Sequence, residues 1–245
     1  MKFTEGYWLL SERTNGQFAS QAYHIEAMEN GLRVVAPTSP VLSRGDTLNR
    51  PTITIEFLAV SPEVISVRAW HYEGYRTGEA RFEKKETTCD AVVTITENEA
   101  VLDAGRVSVH VDRKNWGYSF WADGKLLTSS GFHNLGYVRW DRSVSSMLPQ
   151  DNYMKEHEYT PYMTQDLLLA PGENVYGFGE RFTAFVKNGQ VVETWNEDGG
   201  TASQVAYKNI PFYMTNRGYG VFVDHTGNVS HAGYDDFGGE RFRYG

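Results

Sequence analysis

The sequence predicts an all-β protein, an antiparallel β-sandwich with very little helix. Three observations carry this. Val, Ile and Thr recur at period two, so that one side of each run is apolar and the other polar. Aromatic residues reach 14% of the chain, and they sit in the same runs, where β structure favours them. Asn-Gly and Asp-Gly dipeptides separate successive runs, as hairpin turns require. No segment keeps the i, i+3, i+4, i+7 spacing of a helix for three turns.

The elements follow in order. Gln21–Pro37 holds Asn30-Gly31 between YHIEAMEN and LRVVA, which predicts a hairpin with a type I′ turn at that dipeptide. Thr52–Val60 puts Ile53, Ile55 and Phe57 on one face and Thr54 and Glu56 on the other. Val64–His71 gives Ile65, Val67 and Ala69 a common face, and Arg106–Asp112 does the same for Val107, Val109 and Val111. Asp123-Gly124 predicts a second hairpin within Trp116–Thr128, and Asn188-Gly189 a third within Lys187–Val192. Two stretches break the pattern. Gly74–Asp90 is charged with mixed sign and reads as a solvated loop or edge. Asp141–Thr164 is polar, carries two prolines and reads as a long loop, whether hinge, arm or functional.

A chain of 245 residues buries a sizeable core without disulfides. Its net charge of −8 argues against nucleic acid or an anionic membrane as the main partner. The one cysteine, Cys89, excludes an intrachain disulfide and reads as a small residue near a strand. No apolar run approaches the ~18 residues of a membrane span. The opening MKFTEGYWLL lacks the long apolar core of a secretory signal, so the cytoplasm is the expected compartment.

Most catalytic motifs fail on spacing. Gly177-Phe178-Gly179 does not extend to G-x-G-x-x-G and precedes no helix, which excludes a dinucleotide loop. There is no G-x-S-x-G elbow. His24-Ile25-Glu26 lacks the paired cysteines of a zinc deaminase, and no His pair has H-E-x-x-H spacing. His24, His71 and His110 fall on strands, where a surface or core-edge role suffices. The loop Trp195-Asn196-Glu197-Asp198-Gly199-Gly200 is different. An aromatic ring beside amide and carboxylate groups suits a sugar, which offers C–H faces to stack and hydroxyls to donate. The plainer reading is a surface turn whose Asp198 accepts backbone N–H groups. Glu180 and Arg181 point to opposite faces if extended and read as separate structural partners. Lys208 and Asn209 read as strand-end hydrogen-bonding groups, with a ligand contact as the alternative.

VYGFGERF (Val175–Phe182), ETWNEDGGT (Glu193–Thr201) and YKNIPFYMTNRGYGVFVDH (Tyr207–His225) together resemble the N-terminal domain of glycoside hydrolase family 31. The α-xylosidase branch is nearest and the α-glucosidases next. The resemblance is dense over Asp166–His225 and thinner but collinear before it. It implies a galactose-mutarotase-like sandwich, followed in the family by a (β/α)₈ barrel and C-terminal β domains. It implies hydrolysis of terminal α-linked xylose or glucose with retention, by two barrel aspartates about 5 Å apart. A barrel needs roughly 250 residues of its own. The catalytic pair is therefore expected outside this chain, and residues 1–245 are expected to be one sandwich that stops before its last strands.

One site residue carries over from the family. Asp198 matches the aspartate that reaches from the sandwich into the barrel mouth and holds the sugar in the first subsite. Trp195 and Asn196 are its loop-shaping neighbours. The resemblance implies no cofactor and no metal. Its partners would be an α-linked xylose- or glucose-containing oligosaccharide, the protein's own barrel, and in many family members further copies of itself. Two alternatives stay open: a stand-alone carbohydrate-binding module, and a mutarotase-like epimerase, for which His225 and Glu180 are the candidate acid and base.

Overall fold

The computed structural model describes residues 9–48, 50–72, 82–83, 89–141, 159–197, 206–236 and 239–244, with backbone alone after residue 233. The regular structure of the described residues is nearly all strand; its one helical element is a 3₁₀ turn at Arg44–Thr47. Strand β1 (Thr14–Phe18) leads into a four-stranded antiparallel meander of β2 (His24–Met28), β3 (Gly31–Pro37), β4 (Thr52–Ser61) and β5 (Val64–Trp70). A five-stranded antiparallel meander follows: β6 (Val92–Ile95), β7 (Glu99–Asp103), β8 (Val107–Asp112), β9 (Gly117–Ala122) and β10 (Lys125–Ser130). These two sheets pack face to face. Leu32, Val34, Ile53, Ile55 and Phe57 from one meet Ala100, Leu102, Val109, Val111 and Tyr118 from the other. The Phe57 ring lies edge-on to Tyr118 at 5.1 Å. The period-two alternation in β4 and β8 is thus the imprint of this shared core. Cys89 joins it, buried, with its thiol against the Ala104 carbonyl at 3.4 Å.

The chain then builds a second lobe. β11 (Leu135–Asp141), β12 (Tyr159–Leu169), β13 (Val175–Gly177), β14 (Val191–Thr194), β15 (Phe212–Thr215), β16 (Gly220–Phe222), β17 (Val229–Asp236) and β18 (Gly239–Tyr244) complete the strands. β1, β11, β12, β18, β17 and β14 make a six-stranded sheet in that order, and β13, β15 and β16 a three-stranded one. Leu169, Val175, Phe178, Val192 and Tyr213 form a smaller core between them. The last described strand, β18, lies inside its sheet between β12 and β17.

Three local expectations change. The first hairpin forms, but its two turn residues are Glu29 and Asn30, since Met28 pairs with Gly31. Neither Asn30 nor Gly31 has a positive φ. Gly31 opens β3, where a Cβ would lie 2.3 Å from the Phe57 carbonyl oxygen, so glycine serves strand approach rather than the turn. The second hairpin is as expected, with φ of +50° at Asp123 and +73° at Gly124. At Asn188-Gly189 a turn forms without a hairpin, because β14 pairs with β17 instead. The Asn188 side chain takes the place of a partner strand: its Oδ1 accepts from Val175 N at 2.9 Å, and its Nδ2 donates to the Glu173 carbonyl at 2.8 Å.

The polar loop expected at 141–164 is shorter. Tyr159–Thr164 is strand, paired with β11 through Asp141↔Tyr159. Pro161 occupies the part of β12 that, among the described residues, pairs with β11 alone, and a missing N–H is tolerated at such an edge. Residues 142–158, and nearly all of the charged stretch 74–90, lie outside the described residues.

Candidate functional site

Gly177, Phe178 and Gly179 adopt φ of +129°, +71° and +82° in succession. A left-handed conformation costs a non-glycine residue about 1–2 kcal/mol. Phe178 offsets this by complete burial against Tyr213 at 5.7 Å and His231 at 4.5 Å. The glycines are required by the neighbouring chain. A Cβ on Gly177 would stand 2.6 Å from the Phe212 carbonyl oxygen, and one on Gly179 would stand 2.3 Å from that of Lys208. Backbone bonds lock the approach: Phe178 N donates to Phe212 O at 2.9 Å and Glu180 N to Lys208 O at 3.2 Å. The G-x-G pair therefore serves contact between two chain segments.

This turn sends the next two side chains apart, as the sequence suggests. Glu180 reaches outward to the Lys208 ammonium at 3.2 Å, an exposed pair that contributes little. Arg181 turns inward and is half-buried. Its Nη2 donates to the Glu193 carbonyl at 2.7 Å and to Asn209 Oδ1, and its Nε donates to the Phe178 carbonyl at 3.2 Å. Burial pushes the guanidinium pKa below its ordinary value, though an arginine stays charged at neutral pH. Three oxygens from separate segments are thereby gathered around one cation.

Asn209 is the hub of the arrangement. Its Nδ2 donates to the Trp195 carbonyl at 2.8 Å, to Asn196 Oδ1 at 2.8 Å and to the Ala206 carbonyl at 2.7 Å. Asn196 Oδ1 also accepts from Asn209 N at 3.2 Å. Asn196 and Ala206 form a parallel bridge, and Glu197 N donates to Ala206 O at 3.0 Å. The two ends of the segment 198–205 are thus tied together at its base. Asp198 itself lies outside the described residues. Trp195 is 47% exposed, and Tyr207 and Ile210 beside the tie are exposed as well. The Trp195 carbonyl and the Asn196 side-chain amide both take part in this tie. Asn209→Ala removes one of the three acceptors around Arg181 and the side-chain donor to the Trp195 and Ala206 carbonyls. A stability loss of about 2–4 kcal/mol is expected, read by thermal or urea unfolding, with faster proteolysis within 198–205.

Two buried groups near Arg181 carry no signal in the sequence. Lys187 is buried, and its Nζ donates to Thr183 Oγ1 at 3.0 Å and the Ala184 carbonyl at 2.6 Å. Burial, and then the Arg181 charge, push its pKa down. His231 on β17 is fully buried, with Nε2 3.4 Å from Thr194 Oγ1. Burial, then the charge of Arg181, push its pKa down to about 3. Both side chains sit on strand or turn patterns that look ordinary, and only the packing around them shows their burial.

The remaining sequence candidates scatter. His24 is exposed on β2, and the His71 ring lies tilted against Tyr137 at 4.4 Å. His110 lies on β8 beside Trp121. His225 is exposed after β16, and Glu180 is engaged with Lys208. Among the described residues no group of three or more His, Cys, Asp and Glu side chains is placed to hold a metal. No described helix is long and apolar enough to cross a membrane.

Comparison with known proteins gives one family. Residues 53–230 match the model of the glycosyl hydrolase 31 N-terminal galactose mutarotase-like domain. The chain is 40% identical over 235 residues to alpha-xylosidase XylQ of Lactiplantibacillus pentosus, covering 94% of this chain and 28% of that protein. It is 35% identical over 239 residues to an alpha-xylosidase of Emericella nidulans, covering 94% of this chain and 30% of that one. The chain thus spans less than a third of the length of these relatives. Among solved structures, a cycloalternan-forming enzyme from Listeria monocytogenes in complex with a pentasaccharide substrate shares the fold. Its TM-score is 0.67 at 14% identity, over 94% of this chain and 20% of that one. The mutarotase-like sandwich, the left-handed G-x-G turn and these matches agree, and the chain belongs to the glycosyl hydrolase 31 N-terminal galactose mutarotase-like domain family.

Proposed function

We propose that this chain is the N-terminal sandwich of a retaining α-xylosidase, with α-glucosidase activity as the neighbouring specificity. In this reading it lends a sugar-gripping loop to a catalytic barrel elsewhere in the parent polypeptide and does not itself bear the catalytic aspartates. The observation that carries the reading is the 40% identity to an alpha-xylosidase over 94% of this chain. The tied loop base at Asn209 supports a role for Asp198, because it fixes the point from which the segment that carries this carboxylate departs. Asp198 accepts hydrogen bonds from the hydroxyls of a terminal xylose or glucose and fixes the ring for attack. Trp195 and Asn196 hold the loop in shape. Residues 1–245 act as one domain, partnered by the barrel and by an α-linked oligosaccharide, with self-association through this domain as a further role. The cytoplasm is its compartment in this reading, which the lone thiol of Cys89 suits.

The test uses an aryl α-xyloside. The 245-residue chain alone is expected to give no turnover. The parent enzyme is expected to hydrolyse it, and Asp198→Asn there to raise KM by about tenfold or more. Robust hydrolysis by the purified chain, or an Asp198→Asn parent with unchanged KM and kcat, sinks the proposal.

A further inference from the structure

We propose that the outward side of the five-stranded sheet holds a second carbohydrate-binding site, centred on Trp121 and separate from the loop that begins at Trp195. A depression of about 580 Å³ opens there between the β6–β7 turn and the β8–β9 turn. That volume falls in the ordinary range for small-ligand sites, roughly 300–1,000 Å³, and accommodates one or two sugar rings. Its position follows from strand alternation. Val109, Val111 and Tyr118 point into the core, so Ser108, His110, Ser119 and Trp121 point out.

The depression is built, not merely open. The Trp121 indole donates through Nε1 to Ser119 Oγ at 2.8 Å, which fixes the tilt of a half-buried ring. His110 stands 5.7 Å from that ring, with Nε2 3.1 Å from Ser108 Oγ and Nδ1 3.5 Å from Glu99 Oε2. Arg113 ties the two flanking turns together: its N donates to the Asn98 carbonyl at 2.9 Å, and its guanidinium donates to the Thr96 carbonyl. Asp112 holds the second turn by accepting from Lys114 N at 2.7 Å and Asn115 N at 3.0 Å. The Ser119 hydroxyl and the Asn98 and Asn115 amides add polar groups to its lining.

The chemistry selects the occupant. Glu99 and Asp112 outnumber Lys114 at the rim, so phosphates and other anions are disfavoured. Carboxylate, imidazole, amide and hydroxyl groups accept and donate to the hydroxyls of a neutral sugar, and the indole face receives its C–H surface. A site of this kind on the five-stranded sheet would tether an oligosaccharide without reacting with it.

Calorimetric titration of the full 245-residue chain with isomaltotriose and with a xyloglucan heptasaccharide tests this. Binding of at least one with Kd of about 1 mM is expected. Trp121→Ala should weaken it about tenfold with an unchanged far-ultraviolet spectrum, and Glu99→Gln by several fold. Should Trp121→Ala fail to fold, Glu99→Gln decides. Asp198→Ala should leave this affinity unaltered, which keeps the result distinct from the loop reading. No binding of either sugar up to about 20 mM overturns the proposal. So do affinity lost only in Asp198→Ala, and inorganic phosphate bound more tightly than both sugars.

Discussion

Gly179→Ala is expected to lower the melting temperature by about 10 °C, the cost of more than about 4 kcal/mol in a domain of this size. The added methyl would stand 2.3 Å from the Lys208 carbonyl oxygen and 3.0 Å from Ile210 N. Both are backbone atoms, so no side chain can swing away. Relief requires the 208–210 segment to retreat, and that segment carries Asn209 and the tie of the loop base. Gly189→Ala is the control. Gly189 has a comparable φ of +72°, yet a Cβ there meets nothing within 4 Å. It should lose only about 1 kcal/mol. Equal losses in the two variants would show that backbone conformation, and not the approach of the 208–210 segment, sets the requirement for glycine.

Acid should destabilise the protein through His231, and the sign follows from its two protonation states. In the fold the imidazole is held neutral, with its pKa pushed down from 6.5 to about 3. The unfolded chain takes up a proton below about 6.5, whereas the folded chain does not until about pH 3. Stability from this group is therefore complete above pH 6.5, falls between 6.5 and about 3, and levels off below. Each pH unit in the window is worth up to about 1.4 kcal/mol, so the loss at pH 4 is of the order of 3 kcal/mol. Urea unfolding at pH 7.5, 5.5 and 4 measures it. His231→Asn should shift all three values by a constant packing cost yet flatten the slope relative to wild type. The carboxylates titrate in both proteins and cancel in the difference. An unchanged slope would mean that His231 is already protonated in the fold.

The first lobe was legible because its signals are local. Alternation in Thr52–Val60 and Arg106–Asp112 names the buried face residue by residue, and Asp123-Gly124 names its own turn. Asn30-Gly31 misplaced a turn by one position, because the glycine answers to the Phe57 backbone across the sheet. Pro161 and the polar run around it hid the start of β12, whose pairing is with β11 and distant in sequence. The loop base was legible in part. Trp195, Asn196 and Asn209 stood out in the sequence, and their polar groups meet at that base. That one amide joins Trp195, Asn196 and Ala206 while accepting from Arg181 depends on segments brought from three places in the chain.

By itself, then, the sequence determined the all-strand class, the faces of the central strands and the motif group that marks the family. Period-two patterning and turn chemistry are properties of neighbouring residues. Only the tertiary structure decided why Gly177 and Gly179 are glycines, why His231 is neutral, and which outward side chains on β7, β8 and β9 share one depression. Each of these depends on backbone or charge from a segment far along the chain, and a linear pattern carries no record of such distances.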